Sequence, residues 1–125
     1  MVSPGHPTRE DVEKRVKLIS SLVRPDKVDD ITLGLRRVNV VTITVVQVVD
    51  HTPQNHGTAV WRGHEYSLDS SLKMEIRIVV DDDDVDQVIQ LIMRVARTGH
   101  AGDGHVCVLP VDHRYDISTG YRGVS

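Results

Sequence analysis

Residues 73–99, KMEIRIVVDDDDVDQVIQLIMRVARTG, decide the fold. Met74, Ile76 and Ile78 alternate with Glu75 and Arg77, the period of a half-buried strand. Beyond Asp81–Asp84 the period changes. Val85, Val88, Ile89, Ile92, Val95 and Ala96 recur at helical spacing, so the segment predicts an amphipathic helix. The four aspartates between them suit a cation site, but they suit a helix start better. Carboxylates there cap backbone N–H groups and complement the helix dipole. Gly99 fits the helix stop.

Downstream, a glycine-rich link, Gly99-His-Ala-Gly-Asp-Gly-His, leads into a last strand, Val106 to Val111, and a polar tail. Upstream, Val38 to Val49 is almost wholly β-branched and predicts a strand. Between that strand and Leu72 no regular periodicity is legible, so residues Asp50–Ser71 are expected to form a loop of roughly twenty residues. Loops of that length in compact domains are usually either functional or disordered. Before Val38, acidic residues from Asp26 precede Val28, Ile31, Leu33 and Leu35, which predicts a helix ending near Arg37. Val16 to Arg24 is apolar-rich, stops at Pro25 and predicts the first strand. Asp11 to Lys17 predicts at most a short helical turn. Residues 1–12 are expected to be a flexible arm, and residues 13–125 one domain.

The element order is therefore β-α-β-β-α-β, the ferredoxin-like α+β pattern with a long loop between strands two and three. Two helices cover only one face of a four-stranded sheet. The other face needs a partner, and a second copy of the chain is the simplest.

Composition narrows the function. The chain has 125 residues, no Phe, 15 Lys and Arg against 18 Asp and Glu, and a net charge of −3. Nucleic-acid binders normally show a basic face, so no nucleic-acid partner is expected. Cys107 is the one cysteine, which excludes an internal disulfide and fits a reducing compartment. Within its apolar strand it is expected to be a buried thiol. No apolar stretch approaches the length of a membrane span, and Met1 to Pro7 lacks the order of a secretion signal, so a cytoplasmic protein without membrane insertion is expected. The sequence contains no Ser elbow, Walker loop or HExxH motif, so no enzymatic activity is expected.

Several segments resemble the PII family of nitrogen-regulatory signal proteins, in register from about Leu18 to Gly120. They are Arg24-Pro25 with Asp29-Asp30, Thr44, Gln54, Trp61-Arg62-Gly63-His64-Glu65-Tyr66, Lys73, and Arg97-Thr98-Gly99 followed by Gly102-Asp103-Gly104. The resemblance implies a homotrimer whose long loops, residues 50–71, dock onto a transporter, an enzyme or a regulator. It also implies adenine-nucleotide clefts between subunits, with Thr44, Gly102, Asp103, Gly104 and His105 as nucleotide-binding residues. Gln54 and Lys73 would serve 2-oxoglutarate, through magnesium held by the nucleotide phosphates. Tyr66 matches a tyrosine that many relatives have nucleotidylylated; its plain alternative is a solvent-facing contact.

The pattern departs from the family at the phosphates. The family's lysine after the glycine pair is His105 here, and two further basic positions are Asp116 and Ser118. A charge-assisted hydrogen bond contributes roughly 1.5–3 kcal/mol. Losing three costs about 4–8 kcal/mol, roughly three to six decades of affinity. Arg114 or Arg122 remains nearby as a replacement. Weak ATP binding and a preference for ADP or AMP are therefore expected, with no covalently bound cofactor and magnesium only where phosphates are held. At the loop base, Asp50-His51-Thr52-Pro53 replaces the family's glycine-and-arginine approach to Gln54, and Pro53 removes an N–H donor.

Histidines supply the rival reading, a metal-binding trimer of the divalent-ion tolerance type. His51, His56 and His64 share the long loop with Asp50, while His100, His105 and His113 lie near the glycine-rich link. Imidazoles suit Zn, Cu or Ni, but none of these has the compact spacing of a ligand pair on one helix, so exposed or pH-sensing histidines are preferred.

Overall fold

The computed structural model describes residues 15–51, 58–61, 64–67 and 71–121. The expected arm, residues 1–12, lies outside them. Strand β1 is Val16–Val23, helix α1 Val28–Leu35, and strand β2 Val40–Asp50. Strands β3, Thr58–Trp61, and β4, His64–Ser67, follow, then β5, Ser71–Asp81, helix α2, Val85–Ala96, and β6, Gly104–Pro110. The main sheet has the order β2-β5-β1-β6, with every neighbouring pair antiparallel. This is the ferredoxin-like α+β fold expected from the sequence.

Alternation decides which side of the sheet is covered. In β1, Ile19, Ser21 and Val23 are buried while the residues between them are only half-buried. Register places Ile19 opposite Ile78, and Ser21 opposite Ile76, so these residues share one face. Ile31 and Leu35 from α1, with Val88, Leu91 and Ile92 from α2, close over it. The core is aliphatic throughout. Each fully buried Ile, Leu or Val contributes about 1.5–3 kcal/mol through removal of apolar surface from water.

Four details differ from the sequence reading. The predicted loop contains a hairpin, β3 paired antiparallel with β4, and β2 and β5 stay paired as far as Asp50 and Ser71. Strands of four residues are too short to show a period. The short helical turn predicted up to Lys17 is contradicted at its end. Val16 and Lys17 are strand residues, paired with Asp81 and Val80, and residues 11–14 lie outside the described ones. The aspartate run does not cap α2 through side chains. Asp82–Asp84 form a single 3₁₀ turn leading into the helix, so their contribution is charge alone. Asp82 also pairs with Lys17 at 3.3 Å.

The fourth difference is Cys107, which is exposed in this chain rather than buried. It pairs across from Ser20 and so shares the sheet face that the helices leave bare. That face is not uniformly apolar. One row runs Val79, Leu18 and Leu109, and beside it Arg77, Ser20 and Cys107. Ser20 Oγ donates to Glu75 Oε2 at 2.7 Å, and Arg77 Nε donates to Glu75 Oε1 at 3.1 Å. These bonds, the serine's first, hold the Glu75 carboxyl below its ordinary value. Among the described residues, no helix is long and apolar enough to cross a membrane.

Candidate functional site

The glycine-rich link after α2 is built around one carboxylate. Asp103 Oδ2 accepts from the Thr98 backbone N–H at 2.8 Å and from Gly99 N–H at 3.1 Å. Its other oxygen accepts from the Thr98 hydroxyl and, at 3.1 Å, from Arg24 Nε. The Thr98 hydroxyl in turn accepts from His100 N–H at 3.2 Å, and Arg24 Nη2 donates to the Ala101 carbonyl at 2.9 Å. Four donors around one carboxylate stabilise its charged form. The Thr98 hydroxyl first, then the Thr98 N–H, hold Asp103 well below the usual carboxylate range.

Two glycines bring this link close to the sheet. Gly104 has φ +109°, and a Cβ there would lie 1.8 Å from the Leu22 carbonyl oxygen, so only glycine permits β6 to start where it does. Gly102 has φ +90°, and a Cβ would sit 3.5 Å from Arg24 Nη2 and 4.0 Å from Lys73 Nζ. Two cationic heads thus converge beneath the link. Lys73 is 4% exposed, stands opposite Val48 in β5, and lies 4.0 Å from the Asp50 carboxylate at the end of β2. Both cations already face a carboxylate, Asp103 or Asp50.

Beside the link, a cleft of about 210 Å³ opens between the last turn of α2 and the β1–β6 pair. Ile92, Met93, Ala96 and Val106 give it apolar walls, with Arg97, Asp103 and His105 at its polar side. Gly102, Asp103, Gly104 and Lys73 are therefore brought together. His105 is exposed, paired with Leu22 at the start of β6. Thr44 is not brought to them. It lies exposed in β2 opposite Arg77, at the far edge of the sheet from β6. Gln54 and Pro53 lie outside the described residues, and of Tyr66 only the backbone, within β4, is described.

Asp116 and Ser118 have a structural occupation. Asp116 Oδ1 accepts from the Ser118 hydroxyl at 2.6 Å and from Ser118 N–H at 2.9 Å, while Gly120 N–H bonds the Asp116 carbonyl at 2.8 Å. Together they fold the tail into a tight turn, and the Ser118 hydroxyl is the main reason Asp116 titrates below its ordinary value. No cluster of three or more His, Cys, Asp or Glu able to hold a metal occurs among the described residues. The link presents the cations Arg24 and Lys73, groups that repel a bare metal ion, so magnesium fits only beside phosphates that a ligand brings.

Sequence reasoning missed three participants. Arg24 was legible only as part of a motif, whereas it ties the end of β1 to the link. Thr98 is legible as a helix-end residue, and its threonine-to-aspartate spacing of five is the sequence signal for its bonds to Asp103. Asp50, in sequence only part of the altered loop base, faces Lys73.

Comparison with known proteins adds the following. A family model described as "Nitrogen regulatory protein P-II" matches residues 16–121. The nitrogen regulatory protein P-II of Nostoc punctiforme is 36% identical over 107 residues, covering 86% of this chain and 96% of the relative. The nitrogen regulatory protein GlnK2 of Haloferax mediterranei is 34% identical over 108 residues, covering 86% and 88%. The nitrogen regulatory protein P-II of a Synechocystis strain is 36% identical over 107 residues, covering 86% and 96%. None of these names points to a metal-binding trimer.

Proposed function

Because the chain belongs to the P-II family of nitrogen regulatory proteins, we propose that it senses an adenine nucleotide less charged than ATP, namely ADP or AMP, at seams between three copies. The chain is a PII signal-transduction regulator, and proteins of this family act on partner proteins. The finer reading concerns the ligand and how it is relayed.

The observation that carries it is the charge arithmetic under Gly102. The two cations there, Arg24 and Lys73, each face a carboxylate of the chain itself. The positions where the family keeps further phosphate-facing cations hold His105, and Asp116 and Ser118 bonded to one another. A triphosphate would meet little uncompensated positive charge, and Asp116 would repel it. An adenine ring suits the apolar cleft beside the link, and the glycines Gly102 and Gly104 suit close approach of the backbone to a shorter phosphate chain.

The separation of Thr44 from the link supports a trimer. The two lie at opposite edges of the sheet, so a site using both takes them from different copies. The bare sheet face supplies the contact between copies. Nucleotide at the seam would favour one conformation of residues 50–71, and a transporter, enzyme or regulator would bind that conformation preferentially. Gln54 and Lys73 would take 2-oxoglutarate only with magnesium and nucleotide phosphates in place. The proposed regulator performs no catalytic step of its own.

Isothermal titration calorimetry of ATP, ADP and AMP, each with magnesium, tests this. ADP or AMP is expected to bind at least about tenfold more tightly than ATP. ATP binding as tight as ADP would overturn the proposal.

A further inference from the structure

A groove of about 720 Å³ runs between α1 and α2 on the side of the molecule opposite the bare sheet face. Leu91 and Val95 form its apolar floor, and Leu33, 60% exposed, stands at its edge. Gly34 lets the helices meet closely beneath it, since a Cβ there would lie 2.8 Å from Leu91 Cδ1. Around this floor stand Arg36 and Arg37, just past the end of α1, and Arg94 in the last turn of α2. All three are exposed, and none is in an ion pair with a described residue.

We infer that this groove docks an acidic amphipathic segment of a partner protein, its carboxylates on Arg36, Arg37 and Arg94 and its apolar side chains on Leu33 and Leu91. Charge complementarity is the argument. The whole chain carries a net charge of −3, yet the groove's lining has three arginines against one acid, Asp30. The local sign therefore opposes that of the molecule, which repels long polyanions such as nucleic acid and leaves a short acidic segment as the fitting occupant. Guanidinium groups hold carboxylates bidentately, which a lysine cannot do. Exposed Leu33 beside buried Leu91 has no use for a small inorganic anion but suits a side chain of a peptide helix. The groove is independent of the nucleotide seam, and in copies joined through the bare sheet face it stays on the outside.

The test uses the full chain and a fluorescein-labelled 16-residue helical peptide with glutamates on one face and leucines on the other, read by fluorescence anisotropy at low salt. The wild-type chain binds it, and binding weakens at least about tenfold in R36E/R37E. R15E/K27E changes the net charge equally outside the groove and leaves the affinity within about twofold of wild type. Leu33→Asn weakens binding as well, and amide resonances of residues 33–38 and 87–95 shift on titration. Circular dichroism of each variant verifies folding. Equal binding by R36E/R37E, equal weakening by R15E/K27E, equal binding of a peptide with Gln in place of Glu, or no binding to wild type would each overturn the inference. Displacement by tripolyphosphate together with an unaffected Leu33→Asn variant would mark the groove as a polyanion site and overturn it too.

Discussion

At Asp103 a single side chain holds the link between α2 and β6, and its protonation has a predictable consequence. An unfolded aspartate titrates near 3.9, and the folded one lies below that because Thr98, Gly99 and Arg24 donate to it. The unfolded state therefore binds more protons in acid, so this contribution to stability is complete above about pH 5 and lost as pH falls below about 4. Asp103→Asn is expected to lower stability at pH 7 and to flatten the acid side of the profile relative to wild type. Urea midpoints from pH 7 to pH 3 measure both. Gly104→Ala is a harsher change. With φ +109° and Leu22 O at 1.8 Å from the new Cβ, β6 must leave its register, at a cost of at least about 3 kcal/mol. The measurement is the urea midpoint of the purified variant. The glycines and aspartate of this link were legible as a motif, but the direction of Asp103 was not. A spacing tells which residues are near one another, whereas competing local donors decide which way a carboxylate turns.

At the scale of elements, legibility followed length. The strand and helix of residues 73–99 show clear periods because each buries one face over several repeats, and the structure has β5 and α2 there. Ile76 and Ile78 are fully buried in the layer between sheet and helices, so Ile76→Ala is expected to cost about 2–5 kcal/mol. Chemical denaturation reads that directly. The β3–β4 hairpin escaped because four residues hold barely two repeats of an alternation. Cys107 escaped for another reason. Its strand looks apolar along its whole length, yet β6 lies at an edge and alternate residues point away from the helices. Periodicity assigns residues to faces; it does not say which face the helices will cover.

For the molecule as a whole, the decisive feature is the sheet face that the helices leave open. Leu18, half-buried between Val79 and Leu109, is the centre of its apolar row, and Ser20, Glu75 and Arg77 form a hydrogen-bonded network beside it. Leu18→Glu is expected to give a folded monomer by circular dichroism that no longer binds ADP, since the seam is gone. The candidate site was only half legible from the sequence for the same reason. Its residues lie at both edges of one sheet, and under the proposed assembly a second copy would supply the missing half. The direct measurement is the solution mass of the wild-type chain by multi-angle light scattering. Three times the 14.0 kDa of one chain is predicted; a species of 14.0 kDa with native secondary structure would contradict the account.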